Sequence, residues 1–473
     1  MLELTITDYA FGGKGIAKIP TESGAFSIFV QNSLPGQRVK AQVTKCKNRF
    51  AECRLVDVLD RSPDEVSIPY QEIPGAPYAH LPIEKQHAFK KQTTLDLFEK
   101  IGGVDDALER FDGFVTSPTC WHYRNKMEYS FSAIIHDAES GENIDGFGLG
   151  FKRRGTWWSV ENLDADSGLF DAQVESNLHQ LREWFKKTGL SPWHPPRREG
   201  FYRFLVIRKS FAEDKLLVNL VTSSDGLSEF NAEDFRGQIH ALFGSNRIAG
   251  ILHTINDDKG ERVEARAGEA KCLEGHERVT EVLHGLSFDI SMSSFFQTNP
   301  GSAQRLYAEV LAAVEADQLG SNEVILDLFC GTGTIAQLLA RSCRRQVVGV
   351  DIVESAIADA QISAERNGTT GVTFHAADVG KFLLEHPNYK GKIGAVVIDP
   401  PRAGISPKSL RKVIRLGAPR LVYVSCNPAT QARDIQVLKT HGYMLNRFKL
   451  VDQFPHTAHI ESVAIFDQIH SHG

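Results

Sequence analysis

Several kinds of feature are missing from this chain, and each absence narrows the field. Its seven cysteines (Cys46, Cys53, Cys120, Cys272, Cys330, Cys343 and Cys426) form no CxxC pair, which excludes a disulfide framework or a zinc cage of the usual spacing. No apolar run approaches the roughly 18 residues that cross a bilayer. The opening MLELTITDYA lacks a basic stretch followed by an apolar one, so neither export nor anchoring is expected and the cytoplasm is the expected location. There is also no surplus of basic charge: the net charge is −6 over 473 residues, so any nucleic-acid surface must be local. Internal repeats and low-complexity segments are absent as well.

What is present is the composition of a soluble enzyme, 42% hydrophobic and 24% charged, on a chain too long for one ordinary core. Residues 1–60 read as short strands, LTITDYA, GIAKI, AFSIFV, RVKAQVTKC and FAECRLVDVL, punctuated by Gly12-Gly13, Gly24 and Pro35-Gly36. That pattern predicts a small all-β barrel. The segment carries five Lys and three Arg against three Asp and three Glu, a net of +2 in a chain that totals −6. It is therefore either an RNA-facing module or an ordinary solvated face.

Residues 61–285 form the second region. EKQHAFKKQTTLDLFEKI, 84–101, reads as a helix stopped by Gly102-Gly103, and we expect it to pack on the C-terminal domain. A β-rich stretch follows, with strands at NKMEYSFSAII, GFGLGFKRR, YRFLVIRKS, KLLVNLVT and AGILHTIN, several alternating as half-buried antiparallel strands do. Arg124, Lys126, Lys152–Arg154, Arg197, Arg198, Arg203, Arg208 and Lys209 fall among Trp121, Tyr123, Trp157, Trp158 and Tyr202. These groups supply either phosphate contacts and stacking platforms for an unpaired strand or ordinary surface charge with core aromatics.

Residues 286–473 switch to strands alternating with helices: AQRLYAEVLAAVEA, EVILDLF, GTIAQLLARSC, QVVGVDI, ESAIADAQISAERNG, VTFHAADV, IGAVVIDPP and RLVYVSC. The alternation predicts an α/β, doubly wound, Rossmann-like sheet with its ligands at the carboxyl ends of the strands. The first strand runs into Asp327-Leu-Phe-Cys-Gly331-Thr-Gly333-Thr334, the second ends at Asp351, the third at Asp378 and the fourth at Asp399. Glycines at a strand tip let a ligand approach the backbone, and an acid on the next tip suits ribose hydroxyls. A spaced GxGxxG is absent, since Ile335 and Ala336 follow Gly333. S-adenosylmethionine fits better than a nicotinamide dinucleotide, because it has no pyrophosphate for a helix N-terminus to cradle; the competing reading is structural glycines with surface acids.

Three further segments bear on the chemistry: Ile398-Asp399-Pro400-Pro401-Arg402-Ala403-Gly404, Val424-Ser425-Cys426-Asn427-Pro428, and Asp452 to Glu461. A cysteine at a strand tip beside a cofactor pocket is placed for nucleophilic work, although inert burial is the commoner fate of a lone cysteine.

DLFCGTGT, IDPPRAG, VYVSCNPAT, FPHTAHIE and the earlier Ser294-Phe295-Phe296-Gln297-Thr298-Asn299 together resemble the motif set of the RNA 5-methyluridine (uracil-C5) methyltransferases. The N-terminal barrel resembles a TRAM domain, and SPTCWHYRNKMEYSF resembles the entrance to that family's central domain. The resemblance covers nearly the whole chain. It implies three units: a TRAM-like barrel at 1–60, a β-rich RNA-binding domain at 61–285 and a catalytic domain at 286–473. It implies methylation of uracil carbon 5 in RNA with S-adenosylmethionine, Cys426 adding to carbon 6 and Glu461 removing the carbon 5 proton. Gln297, Phe329, Thr334, Asp351, Asp378 and Asp399 are the implied cofactor contacts, with Asp399 also a candidate to orient the uracil. The implied partner is RNA, large-subunit (23S) ribosomal RNA first and transfer RNA second, with no membrane and a monomeric protein.

Many barrel-bearing members hold an iron–sulfur cluster on a C-x5-C-x2-C run after the barrel. Here that stretch reads Ile68-Pro-Tyr-Gln-Glu-Ile-Pro-Gly-Ala-Pro77, so no iron–sulfur cluster and no metal site are expected. Three rival readings are a cytosine-5 RNA methyltransferase, an amino-methyltransferase in which DPPR stands for an Asn/Asp-Pro-Pro-aromatic motif, and an RNA-binding or folding factor with a vestigial methyltransferase domain.

Overall fold

Short strands separated by glycine turns give the first region its shape. Leu2–Thr5 pairs with Arg38–Cys46, and Asp8–Ala10 pairs with Lys14–Thr21. These two short strands are the opposite edges of a six-stranded sheet yet are consecutive in the chain, joined by Ile6 and Thr7. The sheet is therefore curled into a barrel, filled by Leu4, Ile6, Ile28, Val30, Val39 and Cys53. The computed structural model describes every residue except 22–23, 138–139, 154–155, 264–269, 315–322, 390 and 470–473.

The middle region is a seven-stranded sheet in the order Val160–Asn162, Asn143–Lys152, Lys126–His136, Tyr202–Ser210, Lys215–Thr222, Ile248–Ile255, Ala270–Gly275. Two features depart from the sequence reading. Lys215–Thr222 and Ile248–Ile255 run parallel, not antiparallel, because helix Ala232–Phe243 crosses between them. The central strands are also buried on both faces. Leu205 and Ile207 pack under the helices with Leu178, Phe185 and Phe235, while Phe204 and Val206 pack under Val279 and Met292. Tyr123, Tyr202, Arg203 and Arg208 are accordingly interior residues, at most 2% exposed. They cannot serve as an RNA surface as they stand, whereas Trp157 is half exposed. Arg154 lies outside the described residues.

The C-terminal sheet has eight strands in the order Val372–Ala376, Val347–Asp351, Val324–Leu328, Ile393–Ile398, Arg420–Ser425, Glu461–Gln468, Tyr443–Val451, Phe111–Val115. The first five are parallel, and Glu461–Gln468 is antiparallel to both its neighbours. Apolar clusters cover both faces, as expected of a doubly wound sheet. Phe111–Val115, from the stretch assigned by sequence to the middle region, adds parallel to Tyr443–Val451. Its neighbour Phe98, on helix Ile83–Lys100, packs on Phe448 with ring centroids 4.6 Å apart. The third strand stops at Ala376, two residues before the acid assigned to its tip. Asp378 instead caps helix Val379–Glu385, accepting the Lys381 N–H. The helix read from Ala303 spans Pro300–Val314; its expected end at 315–316 lies outside the described residues.

The cysteine-free stretch after the barrel is pinned by an amide. Gln71 Nε2 donates to the Asn162 carbonyl at 2.7 Å, and Oε1 accepts the N–H groups of Asp164 and Ala165 at 2.8 and 2.9 Å. Tyr70 lies against Trp121 at 4.6 Å. Gly168 closes this corner in a left-handed conformation, and a Cβ there would sit 2.6 Å from the Tyr70 ring. Among the described residues no three His, Cys, Asp or Glu side chains are grouped to hold a metal ion, and no helix is long and apolar enough to cross a membrane.

The barrel, the helix Ile83–Lys100 and both sheets converge on residues 452–461. Asp452 is completely buried, accepting from Lys90 Nζ at 2.7 Å and lying 3.0 Å from His87 Nε2. A buried ion pair stabilises little against an apolar substitute, but removing one member strands the other. Lys90→Met is therefore expected to lower stability by about 3–5 kcal/mol in urea unfolding followed by tryptophan fluorescence. Lys90→Met/Asp452→Leu should recover much of that loss; equal loss in the single and double variants would show that the pair is not what matters.

Candidate active site

The tips of the first two strands carry a loop that needs unusual backbone. After Leu328, Phe329 sits at φ +67° and Gly331 and Gly333 at +52° and +75°. A side chain at such angles is uncommon and costs energy. The fold maintains it by pairing Phe329 N–H with the Val350 carbonyl at 2.8 Å. Gly333 has no alternative, since a Cβ would lie 2.6 Å from Phe374. Asp351 holds the same loop: one carboxylate oxygen accepts the Gly331 N–H at 3.0 Å and the other the Val353 N–H at 2.9 Å. Thr334 is buried as the first residue of helix Thr334–Cys343. Asp378 is exposed beyond the third strand, with Oδ1 occupied by its cap.

The tips of the fourth and fifth strands carry the reactive groups. Ser425 pairs with Ser462 across antiparallel strands, so the next position along sets Cys426 opposite Glu461, a separation at which side chains of neighbouring strands meet. Asp399 follows the adjacent strand, whose Ile398 pairs with Tyr423. The three groups feel one another. Burial first, then Glu461 and Asp399, pushes the Cys426 thiol up to about 11, with Arg402 pulling the other way. Glu461, 4% exposed, is pushed up to about 8 by burial and then by Asp399. Asp399 keeps some exposed surface, but protein crowds it closely enough for burial alone to raise it to about 7.

Gln297 reaches the same group of residues through Tyr307. Its Oε1 accepts from Gln453 Nε2 at 3.3 Å, its main-chain carbonyl accepts from Asn125 Nδ2 at 3.0 Å, and its side chain meets the Tyr307 hydroxyl. Sequence reasoning missed two neighbours. Asp327 is fully buried and raised to about 8 by burial, then by Asp399 and Asp351. Tyr307 is buried and its hydroxyl raised by burial, then by Asp399, Glu461 and Asp327. The signal for Asp327 was available, because an acid inside the apolar strand VILDL is anomalous; Tyr307 sits unmarked in an amphipathic helix.

The arrangement fits S-adenosylmethionine. Neither oxygen of Asp327 has a hydrogen-bond partner in bonding geometry, and the nearby Ala336 amide alone draws its pKa down. The site thus holds carboxyl groups that burial keeps from ionising, and a ligand with sulfonium and ammonium charges would favour their charged form. Asp351 and Asp399 both raise Asp327, and Gln297 meets Tyr307, which Asp399 also raises, so these groups lie close together.

Comparison with known proteins agrees along the whole chain. Residues 261–469 match the family model for tRNA (uracil-5-)-methyltransferase, and residues 1–56 match the TRAM domain. An uncharacterised RNA methyltransferase of Chlorobaculum tepidum is 35% identical, covering 99% of this chain and 96% of that one. Another, from Clostridium acetobutylicum, is 33% identical over 98% and 97%. Among solved structures, the Pyrococcus abyssi tRNA (uracil-54, C5)-methyltransferase in complex with S-adenosyl-L-homocysteine is 26% identical, with a TM-score of 0.71 over 98% of this chain and 100% of that one. With its TRAM barrel and doubly wound sheet, the chain belongs to the RNA 5-methyluridine methyltransferase family.

Proposed function

We propose that this RNA methyltransferase acts on carbon 5 of a uracil, with Cys426 as covalent nucleophile and Glu461 as general base. The observation that carries the reading is the strand register that sets Cys426 and Glu461 opposite each other beside Asp399. Uracil carbon 5 is a poor nucleophile, so addition must come first at carbon 6. The Cys426 sulfur forms that bond as its proton passes to solvent water, and the C5=C6 electron pair moves into an enolate. When bound, S-adenosylmethionine supplies an electrophilic methyl group to carbon 5. Ionised Glu461 then takes the carbon 5 proton, the C5=C6 bond re-forms, and the sulfur leaves as thiolate. Gln297, Phe329, Thr334, Asp351, Asp378 and Asp399, joined by Asp327, would hold the cofactor. The three regions 1–60, 61–285 and 286–473 divide RNA contact from catalysis, with Phe111–Val115 and the helix before it built onto the catalytic sheet.

Reaching a base in folded RNA requires splaying it out. Large-subunit ribosomal RNA is supported by analogy with barrel-bearing members. Transfer RNA is supported by the Pyrococcus relative, whose likeness extends over the barrel as well. The barrel therefore does not choose between them, and identification of the labelled RNA decides.

The direct test is radiolabelled S-adenosylmethionine with total RNA lacking the modification, followed by separation of the RNAs and nucleoside analysis. Label should appear in 5-methyluridine of one RNA species and vanish with Cys426→Ala. Label surviving that substitution would favour an amino-methyltransferase, label in 5-methylcytidine the cytosine reading, and cofactor binding without transfer a folding factor.

Glu461→Gln should lower turnover by about 10²- to 10⁴-fold and leave an RNA–protein adduct on a denaturing gel. Because Glu461 is raised to about 8, it is mostly protonated at neutral pH and becomes a base only as pH rises. The kcat profile should climb through pH 8, and a profile already flat at pH 6 would remove Glu461 from this role.

The buried acids also bear on stability. Asp327, raised in the folded state from 3.8 to about 8, favours folding below the ordinary carboxylate range and loses that contribution as pH rises toward 8. Asparagine has no such loss. The stability gap between Asp327→Asn and the parent protein should widen in favour of the variant by at least about 1.4 kcal/mol from pH 5 to pH 8.5; an unchanged gap would mean that Asp327 titrates normally.

A further inference from the structure

The segment from Asp452 to Glu461 enters the site from a crossing point of four parts of the chain. Its centre is His456, held at φ +65°. One ring face lies on Trp121, with centroids 3.7 Å apart and planes 22° from parallel. Gln86 grips the residue twice: its Oε1 accepts the His456 N–H at 2.8 Å, and its Nε2 lies 3.1 Å from His456 Nδ1. The same amide nitrogen donates to the Tyr78 and Leu81 carbonyls, and the Tyr78 N–H donates to the His456 carbonyl at 2.9 Å. Trp121 is in turn backed by Tyr70. His456 is 4% exposed. Burial first, then Lys90, lowers its pKa to about 4, so the ring is neutral.

From His456 the chain has only Thr457, Ala458, His459 and Ile460 before Glu461. Thr457 Oγ1 closes that stretch by donating to the Phe454 carbonyl and accepting the His459 N–H, and Ile460 is buried. On its other side Glu461 is fixed by pairing with Val451. The direction of its carboxylate thus depends on two anchors, the strand register and the grip on His456. A left-handed, non-glycine residue persists only where its surroundings over-determine it; the Trp121 stack and the Gln86 amide supply that constraint.

We propose that Trp121 and Gln86 are positioning residues that act through His456 to aim Glu461 at the carbon 5 proton. They form a clamp specific to the proton-removal step. This rests on the covalent reading above, in which Cys426 addition and Glu461 proton removal are separate steps. Trp121, whose indole is engaged with His456 and Tyr70, is then part of the catalytic scaffold and not a stacking platform for RNA.

The experiment separates the two steps with one RNA in two forms, carrying uridine or 5-fluorouridine at the target. Fluorine cannot leave as a cation, so the 5-fluorouridine adduct forms through Cys426 and methyl transfer but does not resolve through Glu461. Trp121→Leu and Gln86→Leu should turn over uridine RNA on the order of 10- to 100-fold more slowly and accumulate a denaturation-resistant adduct, as Glu461→Gln does. Their rate of adduct formation with 5-fluorouridine RNA should stay within about two-fold of the parent, since misplacing the base leaves the nucleophile where it was. Trp121→Phe, which keeps the stack, should restore turnover, and thermal unfolding reports whether each variant is folded. Parallel slowing of adduct formation and turnover, or unchanged turnover in both folded variants, would overturn the clamp. Absence of any 5-fluorouridine adduct with the parent protein would instead overturn the covalent reading, and the clamp with it.

Discussion

A buried carbonyl without a donor costs more than a typical contact returns, and the segment Asp452–His456 presents five in succession. Each is satisfied from elsewhere in the chain. Ser302 donates to the Asp452 carbonyl, Asn299 to Gln453, Lys90 to Phe454, Tyr123 to Pro455 and the Tyr78 amide to His456. The donors come from the catalytic domain, the helix Ile83–Lys100, the entrance to the middle region and the linker after the barrel. Satisfying this short irregular segment therefore fixes how the parts of the molecule meet. The barrel joins the same junction through Tyr9, whose ring packs on Tyr78 and Phe89 at 5.1 and 4.3 Å.

This construction explains how a strongly acidic site is tolerated. Asp327, Asp399 and Glu461 all lie where burial favours the protonated form, and the charge of Asp399 raises Asp327 and Glu461 further. A loosely held loop would relieve the strain by turning Glu461 outward. The strand pairing at Val451 and the carbonyl contacts leave it little freedom to do so. Burial first, and then the charges of Glu461 and Asp399, keep the Cys426 thiol protonated, and the same buried acids suit the site to a cationic ligand. Affinity for cofactor and restraint of the nucleophile are thus two results of one charge distribution.

Much of this could be read in the residues. The strands Arg38–Cys46, Tyr202–Ser210 and Lys215–Thr222 have the limits that their composition suggested, because apolar runs bounded by turn residues leave few alternatives. The strand tips bearing Asp351, Asp399 and Cys426 were legible from motif and spacing. Three things were not. The parallel pairing of Lys215–Thr222 with Ile248–Ile255 depends on the crossover helix Ala232–Phe243, which the strand sequences themselves do not encode. Phe111–Val115 joins a sheet whose other members lie more than two hundred residues onward, a long-range pairing that no local pattern encodes. Arg203 and Arg208 read as surface charge but are buried, Arg203 donating to the carbonyls of Asn256, Asp258 and Gly260 and Arg208 to that of Ser294. Only tertiary structure shows which backbone carbonyls are available to receive an arginine.

The central claim, that methylation proceeds by replacing the carbon 5 hydrogen of a uracil, is tested most directly by tritium release. RNA labelled with tritium at carbon 5 of uridine would be incubated with the protein and S-adenosylmethionine, and tritium in water counted against methyl groups transferred. The account predicts one tritium released for each methyl group gained, with both lost in Cys426→Ala. Methyl transfer without tritium release would contradict it and place the methyl group on another atom.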